Sequence, residues 1–192
     1  MRSLVLTSSL DASSRSERLA RAYADALAAR GVEAQLLSLK DYPLPRFDNG
    51  KGVTADASYT FLHNAASEAD GLVLASPVYN WGCCAELKRF VEVLGTTPPD
   101  ASVRSPFFDK VVTFVTAAGL PHSYTAFAPL AVSMMLDFKC VINPYHVFVH
   151  TGHWCGDQLG EEASARLHRS VGVMTELMRC LANRNCHSGW EV

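Results

Sequence analysis

Short apolar runs alternate with segments of helical periodicity along this chain, and that alternation limits the fold more than any other feature. Leu4-Val5-Leu6 is too short for a helix and reads as a strand buried on both faces. Leu19, Ala22, Tyr23, Ala26 and Leu27 then recur at helical spacing, with Gly31 as a C-terminal stop. Val32 to Leu39 reads as a second strand, Asp41 to Gly52 as a loop marked by Pro43, Pro45 and Asn49-Gly50, and Asp56 to Ala69 as a helix. Gly71 to Ser76 is a third strand, ended by Pro77, and Cys83 to Leu94 a helix, after which Pro98 and Pro99 punctuate the chain. Val111 to Thr116 is strand-like. Ala117 to Pro121 turns into a helix that reaches Phe138 and that Pro129 should kink. Cys140 to Val149 is the last strand, broken at Asn143-Pro144, and Glu161 to Asn183 the closing helix.

Five strands alternating with five helices predict an open parallel α/β sheet covered on both faces, with right-handed crossovers. Ligands of such sheets sit beyond the carboxyl ends of the strands, where the strand order reverses. The loops that matter are therefore Ser8–Ser16, Ser76–Gly82 and Thr116–Tyr124. A length of 192 residues with 48% apolar side chains suits a single globular domain over residues 1–192. A net charge of −2 provides no basic surface for nucleic acid, and no apolar run approaches the ~20 residues that cross a bilayer. The N-terminus reads as the first strand rather than a signal peptide, so the expected location is cytoplasmic. The six cysteines, Cys83, Cys84, Cys140, Cys155, Cys180 and Cys186, show no C-x-x-C spacing and are expected as reduced thiols.

The first loop is dense in hydroxyls, from Ser8 and Ser9 to Ser13, Ser14 and Ser16, and carries Arg15 at a helix start. Helix N-termini present unpaired N–H groups and partial positive charge, so serines and an arginine there form a cradle for a phosphate dianion. Simple N-capping by Ser14 or Ser16 is the structural alternative. The second loop, Ser76-Pro77-Val78-Tyr79-Asn80-Trp81-Gly82, joins two aromatics to an amide and a glycine, which suits a flat heteroaromatic ring with polar edges. A turn that merely covers the sheet edge has the same composition. The third loop adds small residues, Gly119 and His122, which let backbone amides approach a ligand. Together the loops describe a mononucleotide with a large planar base. A receiver domain would place Mg²⁺-binding acidic residues after the first strand, where this loop has serines instead, and a dinucleotide-binding domain would place G-x-G-x-x-G there, whereas no glycine occurs from Met1 to Arg30.

These residues resemble the NADPH-dependent FMN reductase family of flavodoxin-like proteins, which includes alkanesulfonate-system FMN reductases and chromate, quinone and azo reductases. Thr7-Ser8-Ser9-Leu10-Asp11-Ala12-Ser13-Ser14-Arg15-Ser16 resembles the family's G-S-x-R-x-x-S-x-S/N pattern, with Ser9, Ser14, Arg15 and Ser16 on phosphate-binding positions. Pro77-Val78-Tyr79-Asn80 resembles its P-x-Y-N/K stretch, and Ala85-Glu86-Leu87-Lys88-Arg89-Phe90 the helix that follows. Asp11 replaces the family's early arginine, and Ala117-Ala118 its glycine pair, with Gly119 one place on. The resemblance implies a flavodoxin-like three-layer sandwich with a five-stranded parallel sheet in order 2-1-3-4-5. It implies FMN held by the phosphate residues and by Pro77, Val78, Tyr79, Asn80, Trp81, Gly82, Ala118, Gly119 and His122. It further implies an NAD(P)H oxidoreductase that reduces free flavin, a quinone or a similar small acceptor, as a homodimer or homotetramer. No catalytic acid or base follows, because the hydride chemistry belongs to the cofactor. An FMN-binding electron carrier and a flavin-free scaffold are the alternatives.

Two side features remain. His146, His150, His153 and Cys155 have a spacing that could ligate zinc or copper, although the exit of a last strand more simply lines a substrate side or a subunit contact. Cys83-Cys84 at a helix start would feel a dipole that lowers thiol pKa, or would merely fill space.

Overall fold

The computed structural model describes residues 1–49, 53–96, 104–185 and 187–189. Gly50, Pro98, Pro99 and Cys186 lie outside them. Strand β1 (Arg2–Thr7) leads through a loop to helix α1 (Arg15–Ala28), then β2 (Glu33–Ser38), α2 (Ala57–Glu68) and β3 (Gly71–Tyr79). A short strand β4 (Gly82–Cys83) precedes α3 (Ala85–Gly95), β5 (Val111–Ala117) and α4 (Ala128–Phe138). Strands β6 (Val141–Ile142), β7 (Val147–Val149), β8 (Trp154–Cys155) and β9 (Gln158–Leu159) lead to α5 (Glu161–Ala182).

The main sheet runs β2-β1-β3-β5-β6, which is the expected order 2-1-3-4-5, and its core pairings are parallel. It has seven strands rather than five, because β4 folds back antiparallel on β3 and β7 also pairs with β5. Both halves of the broken last strand thus lie beside β5. The break has a local cause. Asn143 Oδ1 accepts the Tyr145 N–H at 2.9 Å, forming a turn before Pro144, while Asn143 Nδ2 donates to Thr113 Oγ1 and to the Ser170 carbonyl, each at 3.0 Å.

Strand side chains alternate between two cores. Leu4, Leu6, Leu72, Leu74, Val112 and Phe114 face α2, α3 and α4, whereas Val5, Val73, Ala75, Val111 and Val115 face α1 and α5. Strands β1, β3 and β5 are buried on both faces almost throughout, which is why they read as unbroken apolar runs. Two local expectations are corrected. Pro129 does not kink a long helix: residues 121–127 form a 3-10 turn followed by further turns, and Pro129 stands in the first turn of α4, where a missing N–H costs nothing. Cys83 does not begin a helix, since it pairs with Val78 in the β3–β4 hairpin and α3 starts at Ala85. No helix among the described residues is long and apolar enough to cross a membrane.

Candidate functional site

The three loops selected by the strand order meet beyond the carboxyl ends of β1, β3 and β5. In the first, Ser8 is structural: its N–H and hydroxyl both donate to the Ala75 carbonyl, at 3.0 and 2.8 Å. Ser9, Ser14 and Ser16 are buried. The Ser14 and Ser16 hydroxyls bond each other at 2.7 Å. Ser14 occupies the N-cap of α1, yet its side chain caps nothing, so the first-turn N–H groups stay open to an anion. The buried hydroxyl of Thr7, at the last residue of β1, also lacks a partner among the described residues.

Asp11 is exposed and turned along its own loop, where one carboxylate oxygen accepts the Ser13 N–H and hydroxyl, each at 2.9 Å. Those two bonds hold its pKa below the ordinary value. Arg15 is exposed, and its guanidinium donates to Thr151 Oγ1 at 2.9 Å, across to the segment after β7. Thr151 Oγ1 in turn donates to the Gly119 carbonyl at 3.0 Å. Thr151 was missed from sequence; its only signal was its place at the exit of the last strand.

The second loop is a two-residue hairpin. Asn80 and Trp81 both take positive φ, 49° and 65°, which matches a type I′ turn between Tyr79 and Gly82. That backbone suits Asn but strains Trp. The turn holds Tyr79 and Trp81 out to solvent, 57% and 66% exposed. Pro77 is buried in β3 opposite Ala117. In the third loop, the Ala118 N–H donates to the Val149 carbonyl at 2.8 Å, fixing the chain before Gly119 and the turn Pro121–Ser123.

A cavity of about 350 Å³ opens between the second and third loops, lined by Val78, Asn80, Trp81, Ala118, Gly119, Leu120, His122 and Ser123. Six of those eight residues are ones the sequence marks for the flavin ring; Leu120 and Ser123 are additions, and Pro77, Tyr79 and Gly82 stand beside the cavity rather than in its wall.

His146 stacks on Phe127 with ring centroids 4.1 Å apart, and His150 contacts His153 at 4.0 Å. Among the described residues no three His, Cys, Asp or Glu side chains converge as metal ligands. Burial pushes the Cys83 thiol up to about 11, opposite to the lowering expected at a helix start.

Residues 1–153 match the sequence profile of the NADPH-dependent FMN reductase family. The chain belongs to that family. As an FMN reductase family member it is a flavin-dependent NAD(P)H oxidoreductase, with FMN as cofactor and NAD(P)H as electron donor. The chain is similar in fold to an oxidoreductase from Corynebacterium diphtheriae, at 20% identity, with 93% of this chain and 97% of that one covered and a TM-score of 0.69. For the flavoenzyme NAD(P)H:(acceptor) oxidoreductase FerB from Paracoccus denitrificans the values are 18%, 93%, 97% and 0.74. For RosB with bound 8-demethyl-8-formylriboflavin-5'-phosphate they are 16%, 97%, 82% and 0.76. No curated protein matches the chain. The donor set fits FMN: open N–H groups, paired serine hydroxyls and an unpartnered threonine hydroxyl stand at one loop, and a cavity for a flat ring at the next two.

Proposed function

We propose that Ser9, Ser14, Arg15 and Ser16 hold the FMN phosphate while the ring lies along Pro77, Val78, Tyr79, Asn80, Trp81 and Gly82 and meets Ala118, Gly119 and His122. The observation that carries this reading is the uncapped start of α1 at the same sheet end as the cavity. Bound FMN supplies the redox chemistry, taking a hydride from the nicotinamide and giving electrons to a second acceptor. The chain contributes binding and orientation. The helix start and Arg15 neutralise phosphate charge, and the aromatics and small residues of the two ring loops border a plane with one side open to solvent. No side chain is assigned as acid or base.

The acceptor assigned is free flavin, a quinone or another small planar molecule, since the exposed Trp81, Tyr79 and Leu120 offer apolar contact at the mouth of the site. The working unit is a homodimer or homotetramer of one FMN-binding domain in the cytoplasm. The exposed Val132, Met135 and Leu136 of α4 support association, as an apolar helix face invites a covering surface. Titration of the protein with FMN, followed by steady-state assays with NADH and NADPH against a panel of acceptors, tests the reading. Tight FMN binding and nicotinamide-dependent reduction of flavins or quinones are expected. Failure to bind FMN would remove the site assignment.

A further inference from the structure

At the exit of β7 the chain makes a 3-10 turn, Thr151–His153, with His150 at its N-cap. The two histidines hold it reciprocally. His150 Nδ1 accepts the Gly152 N–H at 3.1 Å, and His153 Nδ1 accepts the His150 N–H at 3.3 Å. A ring nitrogen accepts only while it carries no proton, so both imidazoles are fixed as the Nε2–H tautomer. Thr151 sits between them and joins two loops of the site, accepting from Arg15 and donating to the Gly119 carbonyl. Arg15 stands at the start of α1 and Gly119 lines the cavity. A guanidinium has five N–H donors, so the bond to Thr151 leaves Arg15 donors for a phosphate.

We propose that His150 and His153 are positioning residues of the flavin site: their reciprocal bonds hold the Thr151 hydroxyl between Arg15 and Gly119, and proton uptake by His150 releases it. This rests on the flavin reading above. Protonating His150 Nδ1 sets its N–H against that of Gly152 and removes the bond that closes the turn. The groups facing His150 are His153 from its own turn and His122 from the loop after β5, with Arg15 reaching the turn from α1; among the described residues no carboxylate acts on it. Burial first, then His153 and His122, hold the His150 imidazole below its ordinary value of 6.5. The sign follows: the turn is closed at neutral pH and opens as pH falls below that value.

The test is FMN affinity, read by quenching of flavin fluorescence between about pH 7.5 and about pH 5.5, in the wild type and in His150→Asn. Asparagine accepts the Gly152 N–H as an N-cap and does not titrate, while the phosphate's own titration is common to both proteins. The wild type is expected to lose roughly fivefold more affinity over this range than the variant, the worth of about one hydrogen bond. Equal losses overturn the clasp and leave the flavin reading standing. Absence of FMN binding by the wild type at every pH overturns both. Nitrogen-15 NMR of the ligand-free wild type gives a second, variant-independent reading: unprotonated Nδ1 on both rings near neutral pH is expected, and an Nδ1–H on either overturns the proposal.

Discussion

The Cys84 thiol lies 3.1 Å from the Ser8 hydroxyl and 3.4 Å from the Ser8 carbonyl oxygen, linking the start of α3 to the loop after β1. The Cys84 N–H donates to Ser76 Oγ at 3.0 Å, and Ser8 is itself bonded to Ala75. These buried groups join the loop after β1 to β3, which runs into the hairpin beside the cavity.

Replacing Cys84 with Val keeps an apolar side chain of slightly larger size and deletes the weak donor. Urea unfolding of C84V is expected to show a loss of about 1 kcal/mol. C84S, which keeps a donor, should lose less, and equal losses in the two variants would deny the bond any role.

Arg15 should discriminate phosphate from its absence. R15A is expected to weaken FMN binding by about tenfold or more, the worth of a charge-assisted hydrogen bond, while riboflavin binding changes little. Isothermal titration with both ligands measures the ratio. A parallel fall for riboflavin would show that Arg15 supports the loop and not the phosphate.

Trp81 holds a left-handed backbone, φ 65°, that glycine adopts freely. Relief of strain of about 1–3 kcal/mol, less the unfolded-chain freedom that glycine adds, predicts that W81G is roughly 1 kcal/mol more stable. The same variant should bind FMN more weakly, because the indole lines the cavity. Thermal unfolding and fluorescence titration together check this trade between stability and binding.

Asp109 anchors the C-terminal segment: its carboxylate accepts the Ser188 N–H at 2.9 Å and hydroxyl at 2.6 Å and pairs with Arg184 and Arg104. Partial burial pushes its pKa up, but the Ser188 bonds and the two arginines outweigh that and hold it below 3.8. A lowered carboxylate adds stability above its unfolded pKa and loses it as pH falls through the folded one. D109N, which tolerates the positive φ of this position, should cost about 1 kcal/mol at neutral pH and progressively less as pH falls below the ordinary carboxylate value of 3.8, by urea unfolding. A cost that does not change with pH would assign the effect to packing.

The alternation of buried strands and amphipathic helices was legible because β1, β3 and β5 are buried on both faces and so read as unbroken apolar runs, while the strand order came with the family resemblance. The ring loops were legible for a related reason. Asn80 and Gly82 are residues of the hairpin turn whose backbone needs are local, and a doubly wound sheet brings such turns to one end. The start of α3 was misplaced because Cys83 pairs across a hairpin, and sequence spacing carries no record of that partner. Pro129 was misread likewise: its ring breaks a helix interior but suits a first turn, and which of the two applies depends on where the preceding 3-10 turn ends.

By itself the sequence determined the layered α/β architecture and the loops that gather beyond β1, β3 and β5, and through its family motifs the strand order. Hydrophobic period, helix boundaries and turn chemistry are set by residues near one another along the chain. Tertiary structure alone decided that Ser14 leaves its helix uncapped, that Asp11 turns to Ser13, and that Arg15 crosses to Thr151. A polar side chain takes whichever partner the folded chain brings within about 3 Å, and for Arg15 that partner stands 136 positions away in the sequence.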